Sequence, residues 1–219
     1  GCEEKTTPAE PEANAQPTPA EKAAAEKAAA EKATAIKKVA DEAQANAFVN
    51  TLGMKFVPVP GTEVQFCIWE TRVKDYAEYA AANAGVNASW KKPFGDRFKQ
   101  ADTHPVVNVS WNDANAFCEW LTKKELAEGK IKAGQKYRLP TDAEWSVAVG
   151  LGRETGNSPE AKDMGVKDVY PWGNQWPPPK GVGNYGESLK VDKFDYTAPA
   201  GSFASNKDGL HDMGGNVWE

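Results

Sequence analysis

The chain has 219 residues and a formal net charge of −5, which leaves no basic face for nucleic acid or an anionic membrane surface. No apolar run approaches the roughly 18 residues that crossing a bilayer takes. Eight Trp, all beyond residue 50, together with 19 Gly and 15 Pro, point to a loop-rich core of large aromatics, and three cysteines (Cys2, Cys67, Cys118) are too few for a disulfide scaffold or a zinc framework.

Residues 1–20 are rich in Pro, Glu, Ala and Thr with no large side chain to bury, and they read as disordered. Residues 21–50 read as a helical spacer. The run Glu-Lys-Ala-Ala-Ala repeats there, and Ala, Glu and Lys are strong helix formers. A helix over about 20–47 would be on the order of 40 Å long at 1.5 Å per residue. Its apolar positions are nearly all Ala, so it is expected to bury little and stand off from the rest. The chain opens Gly1-Cys2, the dipeptide at which a bacterial lipoprotein signal ends. On that reading Cys2 is a lipid anchor and the protein a periplasmic or surface lipoprotein of the bacterial envelope, touching a membrane only there. The plain alternative is an incidental thiol at the start of a fragment.

The remaining residues, 51–219, read as one domain. Two strands are expected over 52–60 and 64–69, the first broken by prolines. A helix follows over 71–84 with Val73, Ala77, Ala80 and Ala84 on its buried stripe and Gly85 ending it. Residues 86–103 have no regular period. His104-Pro105 leads into a short buried strand over 106–109; a lone His before Pro favours a structural role over a catalytic one. Ser110 caps the next helix with Asp113 as the reciprocal carboxylate, and Trp111, Ala114, Phe117, Cys118 and Leu121 form its inward face. Tyr137, Arg138 and Leu139 are extended, and Pro140 turns the chain. Thr141 and Glu144 form a capping box, Pro140 and Trp145 a hydrophobic staple, and Gly150 the C-cap. Arg138 beside this corner is expected to brace it. Residues 151–168 read as a surface excursion, and 170–174 as a tight aromatic turn continued by Trp176.

The last forty residues are Gly-rich loops punctuated by Asn184, Asp192, Asp195, Asn206, Asp208, Asp212, Asn216 and Glu219. Hard oxygens in irregular backbone are what Ca²⁺ requires. The same residues also make turns, and spacing alone favours turns.

Six blocks then fall in one order: 104–114 (HPVVNVSWNDA), 137–145 (YRLPTDAEW), 170–174 (YPWGN), 183–185 (GNY), 197–203 (TAPAGSF) and 208–219 (DGLHDMGGNVWE). In this the chain closely resembles the formylglycine-generating enzyme, or sulfatase-modifying factor, family over about 52–219. The resemblance implies an α+β, C-type-lectin-like fold with little regular secondary structure and bound Ca²⁺. One implied calcium site falls on Asn184 and Asp192 with the carbonyls of Tyr185 and Phe194. The other falls on Asp212 and Glu219 with the carbonyls of Gly215 and Val217. Trp218 matches a tryptophan near the family's active-site cleft, a buried aromatic being the simpler reading. Members that oxidise a sulfatase cysteine use two cysteines, also the copper ligands, in a segment beyond Gly-Asn-Val-Trp-Glu. The domain is therefore expected to be truncated at its C-terminus and inactive as given, with copper only where that segment supplies its cysteines. Cys118 matches a structural cysteine of the family, and Cys67 and Cys118 could instead pair. Two functions are implied: oxidation of a sulfatase peptide's cysteine to formylglycine by the full-length protein, or a non-catalytic lectin-like module for carbohydrate, peptide or an envelope protein.

Overall fold

A computed structural model describes residues 16–219. Most of the segment expected to be disordered, and Cys2 with its expected lipid, lie outside the described residues. The chain divides into two compact units, with the boundary after Ala35. In the first, residues 16–35 are exposed throughout. Helix α1 spans Pro19–Ala45. Its start is written in Thr-Pro-Ala-Glu: Glu21 Nα–H reaches Thr18 Oγ1 at 3.3 Å, Thr18 Nα–H reaches Glu21 Oε2 at 2.7 Å, and Pro19 takes the first helical position.

The second unit begins at Ile36 rather than 51, because the end of α1 is part of it. Ala40 is 1% exposed, Ala43 and Ala47 pack on a core cluster, and Gln44 Nε2 donates to the Gly209 carbonyl at 2.7 Å. Small side chains fit this contact because backbone lies against backbone: a Cβ at Gly209 would stand 3.3 Å from the Ala40 oxygen. The expectation that the helix buries little thus fails at its last turns.

Three short strands, β1 (Phe48–Val49), β2 (Lys55–Pro58) and β3 (Gln65–Cys67), form an antiparallel sheet in that order. The register pairs Phe56 with Cys67 and Val57 with Phe66. Alternation across the pleat sends the two pairs to opposite faces, and each face starts a core. Phe56 and Cys67 pack on Met54, Tyr76, Tyr79, Trp90, Phe117 and Leu121, which come largely from α2 (Val73–Ala82) and α3 (Trp111–Ala127). Val57 and Phe66 join Val59, Ile68, Ala148 and Leu210, drawing on α4 (Asp142–Val149) and the last loops. One core is aromatic: Tyr76 lies 5.4 Å from Trp90 and 5.9 Å from Phe117, centroid to centroid.

Helix α2 turns Tyr76 and Tyr79 inward, with Val73, Ala77 and Ala80 half-buried against the same cluster as expected, while Ala84 is exposed beyond its end. Trp111 at the start of α3 is 72% exposed. Residues 106–109 form no strand. Asn108 takes φ +57°, which breaks extended pairing, and only Pro105 bridges to Arg72. His104 is structural, its Nδ1 lying 2.9 Å from Thr197 Oγ1, and burial lowers its pKa. The excursion over 151–168 carries a short helix, α5 (Pro159–Gly165).

Candidate functional site

The Pro140 corner forms as its residues dictate. Thr141 Oγ1 accepts Glu144 Nα–H at 3.3 Å, Glu144 Oε2 accepts Thr141 Nα–H at 2.8 Å, and Gly150 closes α4 at φ +100°. Arg138 braces it through a fork onto Glu144, at 2.7 and 2.6 Å. That pairing, with the cap, holds the Glu144 carboxyl down at about 2. A depressed carboxylate adds stability above its unfolded value and loses it as pH falls through the folded one. Glu144→Gln should therefore flatten the acid limb of the stability curve between about 4.5 and 2 while costing about 1 kcal/mol or less at neutral pH; urea melts across that range check it.

The corner leads to the terminal loops, where Asn, Asp and Gly split into turn-makers and something more. Asn206 Oδ1 accepts from Asp208 and Leu210 Nα–H at 2.9 and 3.1 Å, which makes it a turn. Asp208 pairs with Lys207 at 2.7 Å, and Asp195 is exposed.

Asn184 and Asp192 behave differently. The Asp192 carboxylate clamps two chain segments, taking Tyr185 Nα–H on Oδ2 at 2.9 Å and Phe194 Nα–H on Oδ1 at 2.8 Å. Asn184 is buried, and its Nδ2 donates to the Tyr196 carbonyl and to Asn216 Oδ1, at 2.6 and 3.0 Å. Among the described residues no hydrogen bond engages Asn184 Oδ1 or the carbonyls of Tyr185 and Phe194. Asn184 Oδ1, the Asp192 carboxylate and the carbonyls of Tyr185 and Phe194 thus lie in the segments that the clamp joins. This chemistry fits a hard divalent cation.

The second set centres on the loop 212–219. Asp212 is buried, its Oδ2 accepting Gly201 Nα–H at 2.6 Å. Gly215 sits at φ +85°, where an added Cβ would lie 2.5 Å from the Asn184 carbonyl oxygen, so this position admits only glycine. Its own carbonyl already accepts Val217 Nα–H at 2.7 Å. Asn216 ties the two sets together: its Nα–H reaches the Asn184 carbonyl at 2.7 Å and its Nδ2 reaches Glu70 Oε1 at 2.9 Å. Burial, then mutual repulsion, raises the pKa of Glu70, and burial raises that of Asp212. Glu219 is exposed as a residue, yet desolvation of its carboxyl and the Asp212 charge push it up to about 8. Among the described residues no three His, Cys, Asp or Glu side chains converge on one point. A cation at either set would lean on amide and backbone oxygens.

An open cleft of about 660 Å³ runs beside this region, lined by Phe56, Cys67, Phe117, Cys118, Tyr137 and Glu219 among others. Trp218, the aromatic expected near a cleft, is fully exposed and does not line it. Cys67 and Cys118 both pack against the aromatic core as free thiols, so the bridge considered possible between them is not formed. Burial pushes Cys67 up to about 12 and Cys118 up to about 11. The thiolate is the nucleophile, so both buried thiols are weak nucleophiles at neutral pH.

Two residues of this region escape sequence reading as site residues. Glu70 stands 146 positions from its partner Asn216, and no local spacing links them. Asn216 was visible as one of the loop punctuators, but its position at the junction is not.

The family described as Sulfatase-modifying factor enzyme 1-like domain matches residues 12–219. The formylglycine-generating enzyme of Thermomonospora curvata is 36% identical over 145 residues, 60% of this chain and 38% of that protein. The formylglycine-generating enzyme of Mus musculus is 35% identical over 134 residues, 60% of this chain and 31% of that protein. A third relative, the inactive C-alpha-formylglycine-generating enzyme 2 of Bos taurus, is 34% identical over 139 residues, 60% of this chain and 38% of that protein. The chain therefore spans about a third of the length of the curated relatives it matches. With mixed helices around a small sheet and a match across nearly its whole length, the chain belongs to the sulfatase-modifying factor family.

Proposed function

We propose that residues 36–219 are the calcium-stabilised part of a C-type-lectin-like domain, and that the whole protein oxidises the cysteine of an extended sulfatase peptide to formylglycine. The observation that carries the reading is the Asp192 clamp, which leaves Asn184 Oδ1 and two carbonyls unengaged beside a carboxylate. Calcium there would join the 184–185 and 192–194 segments, replacing helix and sheet as the tie between loops. Copper, dioxygen and a thiol reductant would supply the oxidation: the substrate cysteine gives up two electrons and its sulfur leaves as hydrogen sulfide, the reductant gives the other two, and dioxygen ends as the aldehyde oxygen and water. The lipid at Cys2 and a place in the bacterial envelope belong to the same reading; no described helix is long and apolar enough to cross a membrane.

Calcium at about a hundredfold its dissociation constant should add about 2.7 kcal/mol. For a domain of this size that is about 5–10 °C in Tm, reversed by chelator and reduced by Asp192→Asn. A Tm indifferent to calcium and chelator rejects the scaffold reading. For the oxidation, the whole protein is incubated with copper, oxygen, a thiol reductant and a Cys-containing sulfatase peptide, and aldehyde is read by mass spectrometry. Its absence selects the second reading, a non-catalytic binding module. The existence of a relative named as inactive favours that alternative.

A further inference from the structure

Helix α1 ends in more than a packing contact. Gln44 Nε2 lies 2.7 Å from the Gly209 carbonyl oxygen and 2.9 Å from His211 Nε2, while His211 Nδ1 lies 2.8 Å from the Phe203 carbonyl oxygen. A carbonyl only accepts, so the imidazole proton sits on Nδ1, and Nε2 of the neutral ring is left as an acceptor. The two hydrogens of the Gln44 amide are then divided between Gly209 and His211. The fit is close: at Gly209, with φ +82°, an added Cβ would stand 3.2 Å from Gln44 Cγ and 3.3 Å from the Ala40 oxygen. The segment gripped in this way, 206–211, also has anchors of its own. Asn206 Nδ2 donates to the Ala148 carbonyl in α4 at 2.9 Å, and His211 Nα–H to the Ile68 carbonyl just past β3 at 2.8 Å. His211 and Met213 line the cleft. Among the described residues, Gln44 is the one residue of α1 that reaches a cleft-lining side chain by a hydrogen bond.

We propose that the last turns of α1 are a latch on the cleft, and that Gln44 is its positioning residue. Docked, Gln44 fixes the tautomer and the ring plane of His211, and with them a side chain of the cleft wall. Undocked, it frees the Nε2 lone pair, and the 206–211 segment keeps only its bonds to α4 and to the end of β3. The two states differ in named contacts, the two hydrogen bonds of Gln44 and the burial of Ala40, which is 1% exposed when docked. Ala40, Ala43 and Ala47 each bury little apolar area, so the dock is held chiefly through Gln44 and can release. Coupling of this kind is reciprocal. A ligand resting on His211 shifts the docking of α1, and a partner that takes hold of α1 shifts the cleft. The inference goes beyond the scaffold and oxidation readings and depends on neither.

The chain has two histidines, so the ring signals can be assigned and His104 serves as an internal control. The full chain, Gln44→Met and Ala40→Leu are compared by nitrogen NMR of the imidazoles, by amide hydrogen exchange and by reaction with diethyl pyrocarbonate, which acylates an unprotonated ring nitrogen. In the parent chain His211 should carry its proton on Nδ1 and resist the reagent. Gln44→Met keeps an unbranched stem but has no N–H to give. In it His211 should react at least tenfold faster, and the Gly209 and His211 amides should exchange at least tenfold faster. Ala40→Leu, which wedges the helix away from Gly209, should do the same. The buried His104 ring and the amides of α3 should keep their parent signals, which shows that both variants are folded. A parent His211 with its proton on Nε2 overturns the bonding scheme. Parent rates over 206–211 and at the His211 ring in both variants overturn the latch, since α4 and β3 would then hold the segment alone. Loosening that spreads to His104 and α3 overturns it as well, because the helix end would be ordinary core.

Discussion

Glu125→Ala lowers the unfolding free energy by about 3–5 kcal/mol, the range for breaking a buried charged network from one side. Glu125 is completely buried on α3, and three donors converge on it. Oε1 accepts Thr51 Nα–H at 2.6 Å and Thr51 Oγ1 at 2.5 Å, while Oε2 accepts the Tyr137 hydroxyl. One carboxylate therefore joins the loop before β2, the long helix and the extended arm that enters the Pro140 corner. Alanine leaves the partly buried Thr51 N–H and Tyr137 phenol without their acceptor and opens a cavity where the fully buried side chain stood, which together make the loss large. Tyr137→Phe, which removes one donor of three, should be milder, at about 1.5–3 kcal/mol for a bond to a charged group. Because Tyr137 also packs on Phe56 at 5.4 Å, the aromatic contact survives that change and isolates the hydrogen bond. Guanidinium melts of both variants decide it. A Glu125→Ala effect below about 1 kcal/mol would mean that water replaces the carboxylate.

What could be read from residue order follows from how local each signal is. Capping boxes close within four residues, so Ser110 with Asp113 and Thr141 with Glu144 were legible, and both form. The helix at 19–45 was legible too, because propensity alone dictates it. The role of its last turns was not: Ala40 reads as one more alanine, and only the approach of Gly209 makes it a core residue. Helix α2 misled for a related reason. The expected stripe of Val73, Ala77 and Ala80 does pack on the core, but the tyrosines, which meet Trp90 and Phe117 there, are the more deeply buried and were missed. The four residues after Pro105 look like a buried strand, yet Asn108 adopts the left-handed region and the segment stays ragged. In the site, Asn184 and Asp192 come from the family's motifs, and the clamp on Tyr185 and Phe194 lies within ten residues of sequence. Glu70 meets Asn216 only through tertiary folding, and that is a distance no motif spans.

The other large effect is expected at the junction that holds Glu70. Arg72 and Asp75 form an ion pair whose side chains are 9% and 1% exposed, with Arg72 Nε 2.8 Å from Asp75 Oδ2 and Nη2 3.0 Å from Oδ1. The same Oδ2 accepts Arg72 Nα–H at 3.0 Å, so Asp75 caps α2 while neutralising the guanidinium. The guanidinium carbon lies 4.5 Å from the centre of the Trp69 ring, and flanking backbone bonds tie Thr71 to Val106 and Val73 to His104, both at 2.8 Å. Asp75→Ala strands a buried cation and removes the cap together, and should be destabilising by about 3–5 kcal/mol. Desolvating two charges offsets most of their attraction, so removing both need not hurt as much: the double change Arg72→Met, Asp75→Leu should recover a large part of the loss. A double-mutant cycle measures this as a coupling of about 1–3 kcal/mol. Additive single and double variants would show instead that the two side chains act separately.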